Sequence, residues 1–389
     1  MRSTASIDEV LKSATDRGDV PGVVAMAANR DGTLYEGAFG RRALPDGAAM
    51  TADTVFWIAS MTKAITSAAA MQLVEQGKLV LDQPIADILP ELAQPQVLEG
   101  FDETGEPRLR PARRAITLRH LITHTSGFVY DMWNPEMGRY MERKGIPGII
   151  TCRNAALDLP LVFDPGDAWD YGIGIDWVGK AVERVSGQQL GRYFADHLFG
   201  PIGMTDTGFR LTPEHRSRLA RMHARSADGA LAPIDFEIPQ DPEFQMGGGG
   251  LYGTAADYLA FERVLLNDGR VNGQQVLQPE TVAFMRQNAI GDLNVRRVVT
   301  AMPALSHDAE FFPGMIKKWS PGFMISTEPV PGGRSANSLA WAGLGNTYFW
   351  IDPRQGVAAI ILMQLLPFAD PKALSVLDSF EKAFYAALA

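Results

Sequence analysis

Strand-forming sequence concentrates at the two ends of this chain, and that placement constrains the fold more than any other feature. Near the start, Val23-Val24-Ala25-Met26-Ala27 and Thr33-Leu34-Tyr35 flank Asn29-Arg30-Asp31-Gly32, a hairpin signal. Near the end, Leu339 to Ile351 and Gly356 to Leu362 flank Asp352-Pro353-Arg354-Gln355 as an antiparallel pair. The stretch between is rich in helix patterns. A sheet must bury its apolar surface against other elements, so the expected architecture is α/β. One antiparallel sheet draws its strands from both termini and is flanked by helices, with a mostly helical domain inserted. In residue terms, 1–85 and 300–389 form a discontinuous α/β domain and 86–299 the helical one, with the active site between them.

Ile7 to Arg17 reads as a short amphipathic helix ended by Gly18, and Pro371 to Leu388 as a second that closes the chain. Thr54 to Ile58 is extended and apolar, and Ser60 follows where the chain turns into helix. That helix carries apolar or small residues at Ile65, Ala68, Ala69 and Leu73, with Gly77 placed to stop it. Ser60 and Lys63 are three residues apart and share a helix face. A serine is a weak nucleophile until an adjacent base activates it. A lysine becomes that base when burial lowers its pKa. A capped helix with a solvated lysine would carry the same residues. The inner face here is otherwise almost apolar, however, and burying an ammonium without a partner is costly.

Glu99 to Arg114 is polar, bears proline and arginine, and is expected to be a surface loop. Leu118 to His124 reads as a helix closed by Thr125-Ser126-Gly127. His120 and His124 have the spacing of a helical metal pair. Leu121 stands where a metalloprotease motif needs glutamate, and no third ligand is evident, so both histidines are expected to be structural. Phe128 to Arg143, rich in Tyr, Trp and Met, reads as a loop or broken helix able to line an apolar cleft. Tyr171 falls on a turn just ahead of a helix from Ile175 to Val185. Gly247-Gly248-Gly249-Gly250 lacks both the phosphate-loop ending and the Rossmann spacing, so it reads as a tight backbone approach. Thr254 caps a helix running to about Leu266.

A net charge of −9 argues against nucleic acid as a partner. The lone Cys152 has no internal disulfide partner and fits a reducing compartment. The first nineteen residues lack the apolar core of a signal peptide. The longest apolar run, Val357 to Met363, is far short of the roughly eighteen residues of a membrane span. A soluble, cytoplasmic protein without membrane insertion is expected; oligomeric state is not legible.

Four motifs then fall in one order: Ser60-Met61-Thr62-Lys63, His120-Leu121-Ile122-Thr123-His124-Thr125-Ser126-Gly127, Trp169-Asp170-Tyr171 and Trp341-Ala342-Gly343. That order resembles the serine hydrolases of the class C β-lactamase and penicillin-binding-protein fold. Within them it is most similar to the family VIII carboxylesterases, from about Val20 to the C-terminus. The resemblance implies a serine β-lactamase-like fold. It implies Ser60 as the acyl-accepting nucleophile and Lys63 as its partner in deprotonation. Tyr171 would be general base for attack and then general acid for the leaving group. Trp341-Ala342-Gly343 stands where the β-lactamases carry Lys-Thr-Gly, and the oxyanion hole would be the N–H groups of Ser60 and Leu344. Acyl transfer needs these parts under any name: a nucleophile, a proton shuttle and donors aimed at the developing oxyanion. Lys63 beside Tyr171 is expected to favour phenolate. Which of the two takes the serine proton stays open.

Two departures narrow the substrate. Ile173 stands where the asparagine of the Tyr-x-Asn motif would sit, and Trp341 replaces a lysine that would pair with a substrate carboxylate. Both favour neutral esters over penicillins, as does the aromatic stretch containing Tyr130 and Trp133. Phe311-Phe312-Pro313 reads as a second apolar lip. The expected substrate-binding residues are therefore Tyr130, Trp133, Ile173 and Phe312. An α/β-hydrolase is excluded because no serine lies in Gly-x-Ser-x-Gly. The expectation is a serine carboxylesterase that hydrolyses short-chain acyl esters through an acyl-enzyme on Ser60. Its partner is a small-molecule ester, with no metal or organic cofactor. An acyltransferase on the same fold, weak cephalosporin hydrolysis and an inert binding module are the alternatives.

Overall fold

In the computed structural model, which describes residues 3–388, seven strands form one antiparallel sheet that joins the two ends of the chain. They are β1 (Gly22–Asn29), β2 (Thr33–Gly40), β3 (Lys317–Ser320), β4 (Phe323–Ser326), β5 (Ser338–Gly343), β6 (Thr347–Asp352) and β7 (Val357–Leu362). Their spatial order is β3-β4-β5-β6-β7-β1-β2. The termini meet where β1 pairs with β7, with Val24 opposite Leu362 and Met26 opposite Ile360. The expected β1–β2 hairpin is present, with a register irregularity between Ala27 and Ala28.

Five helices position the site: α1 (Ala5–Asp16), α2 (Thr62–Glu75), α3 (Gly174–Ser186), α4 (Ala255–Leu266) and α5 (Pro371–Leu388). Every residue of β6 and β7 is buried, which demands cover on both faces. Phe349 packs on Tyr258 of α4 with ring centroids 5.0 Å apart. The next residue, Trp350, packs on Phe380 of α5 at 5.6 Å. Successive strand residues point to opposite faces, so α4 and α5 cover opposite sides of the sheet. α1 lies beside α5, and Tyr35 of β2 donates to Asp8 of α1 at 2.8 Å. α2 is buried from Thr62 through Leu73, Lys63 included, because it packs between α3 and the β3–β4 turn. A helix apolar on nearly all sides belongs in such a place.

Three sequence expectations change. The apolar run Leu339 to Ile351 is two strands, β5 and β6, reversed at Leu344–Asn346. Asn346 takes a left-handed φ of +57° there and donates to the carbonyls of Leu365 and Pro367, 2.8 Å each. Gly343, Gly345 and Asn346 are turn residues that mark this reversal inside the run. Glu99 to Arg114 is not a plain loop: Gln96–Phe101 pairs with Pro107–Pro111 as a hairpin, tied down by a bidentate Arg110–Asp164 contact. Finally, α4 falls in the stretch assigned to the helical domain yet packs on β1 and β7. Helical periodicity shows that a face is apolar, not which element covers it. Among the described residues, no helix is long and apolar enough to cross a membrane.

Candidate active site

Ser60 sits on a single 3-10 turn, Ala59–Met61, between the two-residue strand Phe56–Trp57 and α2. Four anchors shape that turn. Phe56–Trp57 pairs with Tyr252–Gly253, and Ile58 N–H donates to the Leu251 carbonyl at 3.0 Å. Tyr258 Oη donates to the Met61 carbonyl at 2.9 Å. At the end of β5, a Cβ on Gly343 would overlap the Ile58 carbonyl, so only glycine allows the strand to approach. Ala59, without that freedom, is held at φ +46°. Strain of this kind persists where surrounding contacts over-determine the backbone, and here it presents Ser60.

Lys63 Nζ, fully buried, lies 3.1 Å from Ser60 Oγ, 2.9 Å from Tyr130 Oη and 2.6 Å from the Gly248 carbonyl. A free amine has two N–H donors and one lone pair. Spending the donors on Tyr130 and Gly248 leaves the lone pair facing the serine hydroxyl, the orientation in which the amine can take its proton. An ammonium would be a donor to all three. Desolvation favours the free amine and lowers the Lys63 pKa to about 7, with buried Asp176 acting in the opposite sense. Gly247 to Gly250 is the tight approach expected. Its successive carbonyls accept from Thr66 Oγ1 (2.7 Å), Lys63 Nζ and Trp57 Nε1 (2.7 Å).

Tyr171 also meets the serine, and its ring centroid is 4.8 Å from Lys63 Nζ. Its hydroxyl accepts from Trp341 Nε1 at 3.0 Å. The expected phenolate does not form. Burial raises the Tyr171 pKa, and the hydrogen bonds with Ser60 and Trp341 offset only part of that. At neutral pH Tyr171 is a phenol with a proton to give.

Ser60, Tyr171, Trp133, Phe311, Trp341 and Leu344 line one narrow cavity, with about 30 Å³ open to the centre of a water molecule. The structure thus brings Ser60, Lys63, Tyr171, Trp341, Gly343 and Leu344 together. Of the four residues expected to bind substrate, Trp133 alone lines the cavity. Tyr130 turns its hydroxyl to Lys63 instead. Ile173, 1% exposed, packs into the core at the start of α3. Phe312 has a left-handed φ of +50° and faces an adjoining cavity, with Arg334 stacked 5.3 Å over its ring. Phe311 takes the place assigned to it.

Tryptophan at position 341, where the β-lactamase pattern has lysine, does not leave the cavity without cations. Lys317 and Arg296 also line it, and nothing in the motif pattern marks them. Both are engaged: Lys317 Nζ stands 3.4 Å from Glu310 and 3.3 Å from the Phe312 carbonyl, and Arg296 donates to Asp170 at 2.8 Å. Their charges are therefore matched within the protein, in keeping with an uncharged substrate.

The histidines do not share a helix face. The helix Leu118–Ile122 ends before His124, whose φ is +59°. His120 completes a capping box with Thr117. His124 is buried and kept neutral, first by desolvation and then by Lys63. No group of three or more metal-ligating side chains occurs among the described residues.

A serine hydroxyl between a buried amine and a phenol, beside an antiparallel sheet with helices on both faces, defines the serine acyl-transfer enzymes of the β-lactamase-like fold. The sequence matches the beta-lactamase family over residues 7–378, and the chain belongs to that family. It is an enzyme of the superfamily that unites serine hydrolases and acyltransferases. It is 33% identical to monacolin J acid methylbutanoyltransferase of Aspergillus terreus, covering 98% of this chain and 95% of that one. Lovastatin esterase of Penicillium rubens is 34% identical over 91% of this chain and 92% of its own. Among solved structures, a variant of simvastatin synthase from Aspergillus terreus superposes with a TM-score of 0.85 at 32% identity, covering 98% and 96% of the two chains.

Proposed function

We propose that this protein is an acyltransferase that moves a short acyl group, through an ester on Ser60, onto the hydroxyl of a small-molecule alcohol. The observation that carries the chemistry is the 3.1 Å approach of the buried Lys63 amine to Ser60 Oγ. The choice of alcohol over water as final acceptor is supported by the methylbutanoyltransferase relative. This reverses the order expected from sequence, which put hydrolysis first. Hydrolysis stays the second reading, favoured by the lovastatin esterase relative and by the resemblance to family VIII carboxylesterases. The lone buried Cys152 supports a cytoplasmic location.

In this reading Lys63 is the base. Near pH 7 its lone pair is available, whereas Tyr171 holds its proton. Ser60 Oγ attacks the carbonyl carbon of the donor while its proton passes to Lys63. The oxyanion is met by the N–H groups of Ser60 and Leu344. The bond to the leaving group breaks as Tyr171 protonates that group, and the proton on Lys63 restores the phenol. The acceptor alcohol then repeats the sequence in reverse, and Ser60 recovers its hydrogen. The cavity's 30 Å³ has room for roughly one or two waters, which supports a short acyl group.

Product analysis tests the reading. With a butyryl thioester or p-nitrophenyl butyrate as donor and an added alcohol, wild type should yield the butyrate ester of that alcohol, and Ser60→Ala should yield none. Free acid as the sole product at every alcohol concentration would favour the esterase.

A further inference from the structure

We propose that Asp176 positions and tunes Lys63: it anchors Gly248 so that the 248 carbonyl holds the amine, and it supplies a buried negative charge that acts on that amine. The inference rests on the Ser60–Lys63 reading above and assigns the residue behind it.

The geometry is a two-step relay. Asp176, in the first turn of α3, is fully buried. Its Oδ1 accepts from Gly248 N–H at 2.8 Å, and the Gly248 carbonyl accepts from Lys63 Nζ at 2.6 Å. The fit is tight, since a Cβ on Gly248 would stand 2.6 Å from Asp176 Oδ2. That second oxygen is buried without a hydrogen-bond partner. A carboxylate so poorly satisfied is costly unless a nearby charge compensates it. Burial raises the Asp176 pKa to about 6 and lowers that of Lys63 to about 7, and each group's charge acts against the other's shift. Where the β-lactamase pattern would place an asparagine amide, this chain has the core residue Ile173. A backbone carbonyl, held from behind by an acid, does the holding instead.

Tyr130, Tyr171, Cys152 and His124, the other titratable groups packed around the pair, carry no charge near neutral pH. Tyr130 and Tyr171 face Lys63, and burial holds both phenols well up. The Cys152 thiol, on the Asp176 side, is pushed up to about 12. His124 is held down and neutral. Asp131, whose pKa burial raises, acts on Tyr130, whereas the charge that acts on Lys63 is Asp176. Asp176 is thus the charge that opposes desolvation of Lys63, and without it the amine becomes a weaker base.

The test is the pH dependence of Ser60 phosphonylation by a fluorophosphonate, followed by intact mass from pH 5.5 to 9. In the wild type the rate should rise with the free amine around pH 7. Asp176→Asn keeps the size and the acceptor for Gly248 N–H but removes the charge. Its acidic limb should move down by about one pH unit. Asp176→Ser, smaller and also neutral, should show the same downward move and serves if the amide variant does not fold. A rate lowered by one factor at every pH, with the limb in place, would mark Asp176 as merely structural and overturn the inference. So would an upward move. A wild type that is never labelled would instead remove the Ser60 reading, and Asp176's role with it.

Discussion

The protonation of Lys63 gives the sharpest quantitative expectation. Acylation requires the free amine, and burial brings its pKa to about 7. The free fraction is then about a tenth at pH 6 and about nine-tenths at pH 8, so the acylation rate should rise roughly tenfold across that interval and level off above it. Tyr171 as the base would behave differently. Its proton is held more tightly than in free tyrosine, so the rate would climb about tenfold per unit through pH 8 and 9 without a plateau. The assay is the pre-steady-state burst of p-nitrophenol from p-nitrophenyl acetate, which isolates acylation from the second step. Stopped-flow traces every half unit from pH 5.5 to 9 would suffice. A rate still rising steeply above pH 8, or one flat from end to end, would refute the assignment of Lys63 as base.

Tyr130→Phe removes one acceptor from the buried amine, and the same burst should slow by roughly ten- to a hundredfold, the cost of a buried donor left unmatched. An unchanged burst would make Tyr130 packing alone. Gly343→Ala should cost about 1–3 kcal/mol in denaturant unfolding and abolish phosphonate labelling, because its Cβ overlaps the Ile58 carbonyl on the serine turn. Glu262 on α4 is fully buried, both its oxygens lack partners, and burial raises its pKa well above 4.5. The folded state therefore binds a proton that the unfolded state releases, and wild-type stability should fall as pH rises from about 4.5 through the raised folded value. Glu262→Met should remove that slope and gain about 1–3 kcal/mol at pH 8; equal stability of the two proteins at pH 8 would contradict it.

The parts of the site legible in the sequence were carried by local spacing or by the order of motifs. Ser60 and Lys63 stand three residues apart, whereas Tyr171 and Trp341 were assigned through the resemblance of the four ordered motifs. The hairpin ends of the sheet were legible from local spacing as well. What escaped depends on contacts between distant residues. Tyr130 reaches Lys63 across 67 positions, and Gly248 reaches it across 185. No periodicity records such a meeting. Asp176 did leave a trace, as an acid in an otherwise apolar helix start, and the glycine run showed a close approach without its partner. Phe311 and Phe312 were exchanged because a left-handed residue in a loop redirects its side chain, which composition does not reveal.

The account's central claim is a covalent acyl group on Ser60, and trapping it is the most direct test. Enzyme mixed briefly with p-nitrophenyl butyrate, quenched in acid and digested, should carry one butyryl mass increment on the peptide containing Ser60. The increment should vanish in Ser60→Ala together with turnover. A butyryl group on another residue, or turnover that survives in Ser60→Ala, would contradict the account.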